Sequence, residues 1–287
     1  MAAATTEDML RENIDSGVKA VVKTEEKWRA MCAVDKSSAY TETYFRETND
    51  DDVDGGTGSS IRGISPLAPF PYVDVAETAF SSPIEKYAAE ALMSMESIAD
   101  LTIPMLTRKI YRIGRKIIYQ IDKAIHGGIA ADFGNTVAIG VGNEWDSATE
   151  NNRNPVKDFL DAIQTLRVDG IDFLAGNGKI VLNGIDYTNV ISNTKVLNHP
   201  TFTSVSAIQN GVVAGLVGGD IVVSEVTTAD TAYVLVAKQG MVWKEKLALK
   251  TSTVVTPGKS TLASAWERGC FQLQAPNEVC KLTNTRK

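Results

Sequence analysis

Several residues are of types that do chemistry, and their spacing decides whether they can. Phosphate binding needs a glycine-rich loop whose backbone N–H groups cradle the anion and whose lysine reaches it. Gly258–Lys259–Ser260 supplies the end of such a loop, but Thr253 stands where the motif needs glycine. Gly178–Lys179 is followed by Ile180, where a hydroxyl residue is required. Both stretches read as turns, and Gly176–Asn177–Gly178 has the composition of a hairpin-type turn ahead of a strand. Cys32, Cys270 and Cys280 make no Cys-x-x-Cys pair, and His126 and His199 stand apart, so no metal-ligand set is spelled out. The three thiols are expected to be buried and free. Asp50–Gly56, DDDVDGG, invites a calcium reading but lacks EF-hand spacing and its closing glutamate. No nucleophile elbow and no zincin motif is present. His126 is expected at a helix end, where a cation suits the dipole, and His199–Pro200 in an exposed loop. No catalytic residue, cofactor or metal site is assigned. An enzyme built from scattered acidic residues would leave no such local mark.

The elements give more. From Ile103 to Gly128 the chain reads IPMLTRKIYRIGRKIIYQIDKAIHGG. Leu106, Ile110, Ile113, Ile117, Ile121 and Ala124 recur at spacings of three and four, so they share one stripe of a helix. Arg108, Lys109, Arg112, Arg115, Lys116 and Lys123 fall on the opposite side. Thr102 can cap the start, Pro104 fits the first turn, and Gly127–Gly128 can end the rod.

Around this rod, residues 5–31 have the pattern of a charged amphipathic helix, with Met9, Leu10, Ile14, Val18, Val21 and Val22 on one face. Residues 37–47 and 72–80 read as a strand and its return. The stretch between them is rich in Asp, Gly, Ser and Pro and has no period, which predicts a long acidic loop. Over 85–93 helix and strand compete. Ser82, Pro83 and Glu85 resemble a capping box, while Tyr87, Ala89, Ala91 and Met93 alternate. Ser94, Glu96 and Asp100 mark a helix start before the rod. Residues 127–153 read as a polar connection, 155–166 as a helix closed near Gly170, 179–182 as a strand and 184–196 as helix. From 211 onward GDIVVSEV, TAYVLVAKQGMVWKEK, LALKTSTVV and GCFQLQAPNEVCKLTN read as strands. The class is mixed α+β.

Composition is that of an ordinary water-facing fold: 287 residues, 44% hydrophobic and 22% charged. No run approaches the roughly 18 apolar residues of a membrane span, and the acidic N-terminus lacks the pattern of a secretory signal. The net charge of −6 is unevenly placed. Residues 1–100 carry −10, residues 101–127 carry +5 and residues 128–287 carry −1. An acidic first third beside a basic rod suits protein–protein contact better than nucleic-acid binding, which would call for a basic domain or tail.

Taken in order, these segments resemble the major capsid proteins of tailed phages and tailed archaeal viruses, the Hong Kong 97-like fold. Lys86–Asp100, KYAAEALMSMESIAD, is similar to the family's strand followed by a Ser-x-Glu helix start. The rod closing Ile121-Asp122-Lys123-Ala124-Ile125-His126-Gly127-Gly128 is similar to its spine helix. Gly215–Ser224, GLVGGDIVVS, resembles the strand segment after its central helices, and Pro276–Leu282, PNEVCKL, its final strand. None of these motifs is diagnostic alone; their order and spacing carry the likeness, over almost the whole chain. The resemblance implies an N-terminal arm at 1–35 and an extended hairpin loop at 36–80. It implies a peripheral domain at 81–154 and 241–287, with the spine helix at 103–127, and an axial domain at 155–240. It also favours strand over helix at 85–93. With little more than 100 residues before the spine helix, it implies a separate scaffold protein or none, rather than a built-in scaffolding segment.

The partners so implied are further copies of the chain, in pentamers and hexamers that close an icosahedral virion shell in the host cytoplasm. Scaffold, portal or decoration proteins are further partners of this kind. Double-stranded DNA would be held by enclosure, and no membrane is involved. A cellular nanocompartment shell of encapsulin type, enclosing an enzyme, is the alternative within the same fold. An open acidic hairpin makes little sense on a monomer, since nothing offsets its ordering entropy. Laid across a neighbour's rod, Glu47, Asp50, Asp51, Asp52 and Asp54 could pair with Arg108, Arg112, Arg115 and Lys116.

Overall fold

The computed structural model describes residues 25–47, 65–66, 77–94, 104–174, 177–197 and 215–287. The chain divides into two compact units, one of residues 1–42, 82–128 and 242–272, the other of 43–81, 129–241 and 273–287. The class is α+β, as expected.

The first unit begins, within the described residues, with a one-turn helix α1 (Trp28–Met31) and strand β1 (Ala33–Lys36). The expected 5–31 helix is broken at 26–27, just before α1, and residues 5–24 lie outside the described residues. β4 (Glu85–Ser94), β10 (Met241–Thr256) and β11 (Ser260–Leu273) complete a sheet of order β1-β10-β11-β4. β1 runs parallel to β10 with Ala33 beside Val242, and β11 runs antiparallel to β4 with Trp266 opposite Ala88. This pairing decides the contest over 85–93 for strand: Tyr87, Ala89, Ala91 and Met93 lie on one face of β4, whose partner supplies every second backbone bond. The capping-box reading fails with it, because Pro83 is the last residue of strand β3 (Glu77–Pro83). KEK and LALKTSTVV, read as parts of two strands, are one, since no turn residue separates them. Gly258–Lys259 makes the β10–β11 turn, with Gly258 at φ +70°. At that φ a side chain is strained.

Helix α2 (Pro104–Ala131) contains the rod and, at about 1.5 Å per residue, is about 42 Å long. Ile113, Ile117, Ile118, Ile121, Ile125 and Ile129 are buried on one side, while Arg112, Arg115, Lys116 and Lys123 are exposed. The helix does not stop at Gly127–Gly128, as the sequence suggested, but runs a further turn. Gly128 serves packing instead: a β-carbon there would come within 2.6 Å of the Phe271 ring. His126 is consequently not at a helix end. It is buried five residues before the last residue of the helix, with its ring 5.4 Å from that of Trp28.

The second unit is a six-stranded mixed sheet of β5 (Asn135–Ala138), β6 (Gly178–Leu182), β7 (Gly215–Leu216), β8 (Gly219–Val223), β9 (Thr231–Val236) and β12 (Val279–Thr283), in the order β5-β12-β9-β6-β8-β7. β5 was hidden in the stretch read as a polar connection. It pairs parallel with β12, Asn135 beside Cys280, a partner some 145 positions away. Helix α3 (Pro155–Val168) follows the expected pattern, while the stretch expected as helix over 184–196 is broken at 192–193 into α4 (Gly184–Ile191) and α5 (Thr194–Leu197). Pro155 opens α3. Gly170, at φ +77°, ends it while the N–H of Ile171 donates to the Leu166 carbonyl. Phe159, Ile163 and Leu166 of α3 join Trp145, Phe173, Ile180, Val234 and Leu282 in one core. The hairpin strands β2 (Thr41–Glu47) and β3 form a separate two-stranded ribbon; β2 starts four residues later than expected, and β3 runs three residues past its expected end, to Pro83.

Candidate inter-subunit surface

The buried isoleucines fix α2 about its axis, so its other face has a set composition. Along that face Tyr111 and Tyr119 are about half exposed, at 50% and 48%, and Arg115 lies between them at spacings of four. Arg112 and Lys116 form the adjoining row, and Lys123 continues the first. The result is a basic strip set with two phenol rings. The sequence reading named the cations and passed over both tyrosines. Their spacing with Arg115 was the available signal, since Tyr and Arg are both enriched where protein surfaces meet.

Of the residues named for this contact, Arg112, Arg115 and Lys116 share the exposed face. Arg108 belongs to the same helix, and Glu47 is the last residue of β2. Asp50, Asp51, Asp52 and Asp54 lie outside the described residues. Within the first unit, Arg115 meets Glu25 at 3.6 Å, with both side chains well exposed. A pair so solvated contributes about 0–1 kcal/mol and leaves Arg115 open to a partner.

The hairpin has a clamp that the sequence did not disclose. Arg46, 7% exposed, stacks its guanidinium 3.9 Å from the centre of the Phe80 ring and lies over Tyr44. It donates from Nε to the Leu273 carbonyl at 2.7 Å, from one terminal nitrogen to Asp132, and from the other to the Tyr44 hydroxyl at 3.1 Å. Tyr44 in turn stacks on Phe80. A charged side chain this buried stays only where its donors are met. We expect Arg46→Ala to cost roughly 1–3 kcal/mol. Hydrogen exchange should then speed up in β2 and β3 more than in the central strands β6 and β9; equal or no acceleration would remove the clamp role.

Little here resembles reaction chemistry. Among the described residues no cluster of three or more His, Cys, Asp or Glu is placed to hold a metal ion. Cys32, Cys270 and Cys280 are all free and buried, as expected. Burial pushes the Cys270 thiol up to about 11 and that of Cys280 up to about 12, so neither is a nucleophile at neutral pH. The second unit has an open concavity of about 600 Å³ beside α3, lined by Leu160, Ile163, Gln164, Arg167, Val168, Leu174 and Val217. It holds one cation and no base or nucleophile. No described helix is long and apolar enough to cross a membrane.

The sequence matches no protein-family model and no curated protein. Solved structures are similar throughout. A virus-like particle from Pyrococcus furiosus superposes with a TM-score of 0.65 at 12% identity, covering 95% of this chain and 99% of its own. The capsid of the cyanophage P-SCSP1u gives 0.68 at 14% identity, with coverages of 90% and 88%. A phage-related protein from Bordetella bronchiseptica gives 0.63 at 10% identity, with coverages of 96% and 97%. At such identity what is shared is the path of the backbone, and it is shared nearly end to end: the chain has the Hong Kong 97-like major capsid fold.

Proposed function

We propose that the chain is a structural, non-enzymatic shell subunit, the major capsid protein of a tailed virus. The observation that carries this reading is the nearly complete overlap with capsid and virus-like-particle subunits; this chain's clamped hairpin and the exposed basic face of its long helix fit it. In this reading, subunits join by heterologous contacts into pentamers and hexamers, which close an icosahedral shell around double-stranded DNA. Residues 1–35 act as an arm and 36–80 as the extended hairpin. Residues 81–154 and 241–287 form the peripheral domain, and 155–240 the axial domain. The hairpin's Glu47, Asp50, Asp51, Asp52 and Asp54 lie on a neighbour's α2, where Arg108, Arg112, Arg115 and Lys116 receive them and Tyr111 and Tyr119 supply apolar area. Assembly takes place in the host cytoplasm, with scaffold, portal or decoration proteins as further partners.

Negative-stain microscopy of the purified full chain tests the proposal. Rings or closed shells are the expected result, and a monodisperse monomer at all concentrations overturns it. A nanocompartment with a protein cargo is the second reading, because the same fold serves both. The contents of purified particles separate the two: nuclease-protected DNA supports the capsid, and a co-purifying enzyme supports the compartment.

A further inference from the structure

The most unusual charge cluster in the first unit is at the start of the described chain. Arg29, on α1, faces three carboxylates from three segments. Its NH1 lies 3.3 Å from Glu26 and 2.8 Å from Glu267 on β11, and its NH2 lies 3.1 Å from Glu245 on β10. The group is shielded, with side-chain exposures of 12% for Arg29, 20% for Glu26, 16% for Glu245 and 0% for Glu267. The Trp243 ring lies 5.7 Å from the guanidinium. A fourth carboxylate, Asp122 of α2, accepts the backbone N–H groups of Lys27 at 3.2 Å and Arg29 at 3.1 Å. One guanidinium therefore serves three carboxylates, with a fourth held on the backbone beside it.

Other charged and titratable groups nearby have partners of their own, among them Tyr87 of β4, whose hydroxyl donates to Glu85 at 2.9 Å. Lys244 pairs with Asp35 at 2.8 Å, Lys246 donates to the Ala39 carbonyl, and Arg268 lies by the Tyr40 ring. His126 meets Trp28, and the Cys32 thiol is buried. Lys27 is on the anchored segment itself.

The geometry points to a proton-operated anchor: Arg29 with Glu26, Glu245 and Glu267 holds residues 25–36 on the β10–β11 hairpin, tightly while the cluster keeps a proton and loosely once that proton leaves. Like charges this close in a shielded site cannot all ionise without penalty. Burial raises the pKa of both Glu26 and Glu267. Arg29 opposes this, and for both residues Glu245 adds to the rise. A carboxylate that binds its proton more tightly when anchored than when released makes anchoring a proton-uptake step. The anchor's full strength is therefore reached within and below the ordinary carboxylate range near pH ~4, and it falls as pH rises through the raised values. The acid's own substitution is the decisive comparison.

Hydrogen exchange on the full chain tests this, read as protection of residues 25–36 after correction for intrinsic rates, between about pH 5 and about pH 8. Protection is expected to drop about tenfold for each pH unit over which the proton departs, while β6 and β9 hold steady. Glu26→Gln, at the most exposed acid of the three, should flatten that slope and raise protection at the upper end. Arg29→Gln should release the segment at every pH. Flat wild-type protection overturns the anchor, as does a wild-type slope in Glu26→Gln or a segment still held in Arg29→Gln.

Discussion

Reversing two charges on the exposed face of α2, Arg112→Glu with Arg115→Glu, is expected to block assembly while leaving the subunit folded. Both side chains are exposed, and Arg115 is 67% accessible, so the fold loses little. In the proposed contact, each exposed pair with a neighbour's hairpin would contribute about 0–1 kcal/mol. Reversal replaces attraction by repulsion at two positions, a change of roughly 1–3 kcal/mol per contact, or about tenfold to a hundredfold in association. In a closed shell that loss recurs at every copy of the contact. Light scattering across a salt series reads the effect. Wild-type assembly should weaken as salt rises, and the variant should recover part of its deficit as screening shortens the reach of the repulsion to about 8 Å or less. If assembly and its salt dependence match the wild type, the acidic hairpin does not lie on this face. Tyr111→Ala with Tyr119→Ala would then ask whether the face is used at all.

The largest loss of stability is expected from Phe159→Ala. Phe159 is fully buried on α3, with its ring 5.2 Å from that of Trp145, in the core shared by the six-stranded sheet. Removing it forfeits the transfer free energy of the ring and leaves a cavity that a close-packed interior fills only in part, together about 3–5 kcal/mol. In a unit of this size that is roughly a 10 °C drop in melting temperature. The next residue supplies the control. Leu160 is 48% exposed, so Leu160→Ala should cost under about 1 kcal/mol. Thermal unfolding by circular dichroism measures both. Equal losses at the two positions would mean that α3 is seated with a different face inward.

The pattern along α2 shows how far sequence reasoning reaches. Isoleucines at spacings of three and four placed its buried face correctly from Ile113 to Ile121, because helical periodicity is a property of adjacent turns and is written locally. Its C-terminus was misjudged for the complementary reason. Gly127–Gly128 carries a stop signal, yet Gly128 faces Phe271, which is 143 positions away and invisible to any local window. β4 was ambiguous until β11 supplied its ladder, and β5 was missed because four residues gain strand identity only from β12.

The contact surface divides in the same way. The basic face of α2 and the acidity of the hairpin are compositional facts that the chain states alone. The Arg46 clamp and the Arg29 cluster are not, since a guanidinium declares no partner. Arg29 finds Glu267 across 238 positions and Arg46 finds Leu273 across 227. By itself the sequence determined the class of the fold, the course of α3, the buried face of α2 and the placement of its charge. Only the tertiary structure decided which of those charges are buried against each other and which face outward, because burial and pairing depend on strands brought together from opposite ends of the chain.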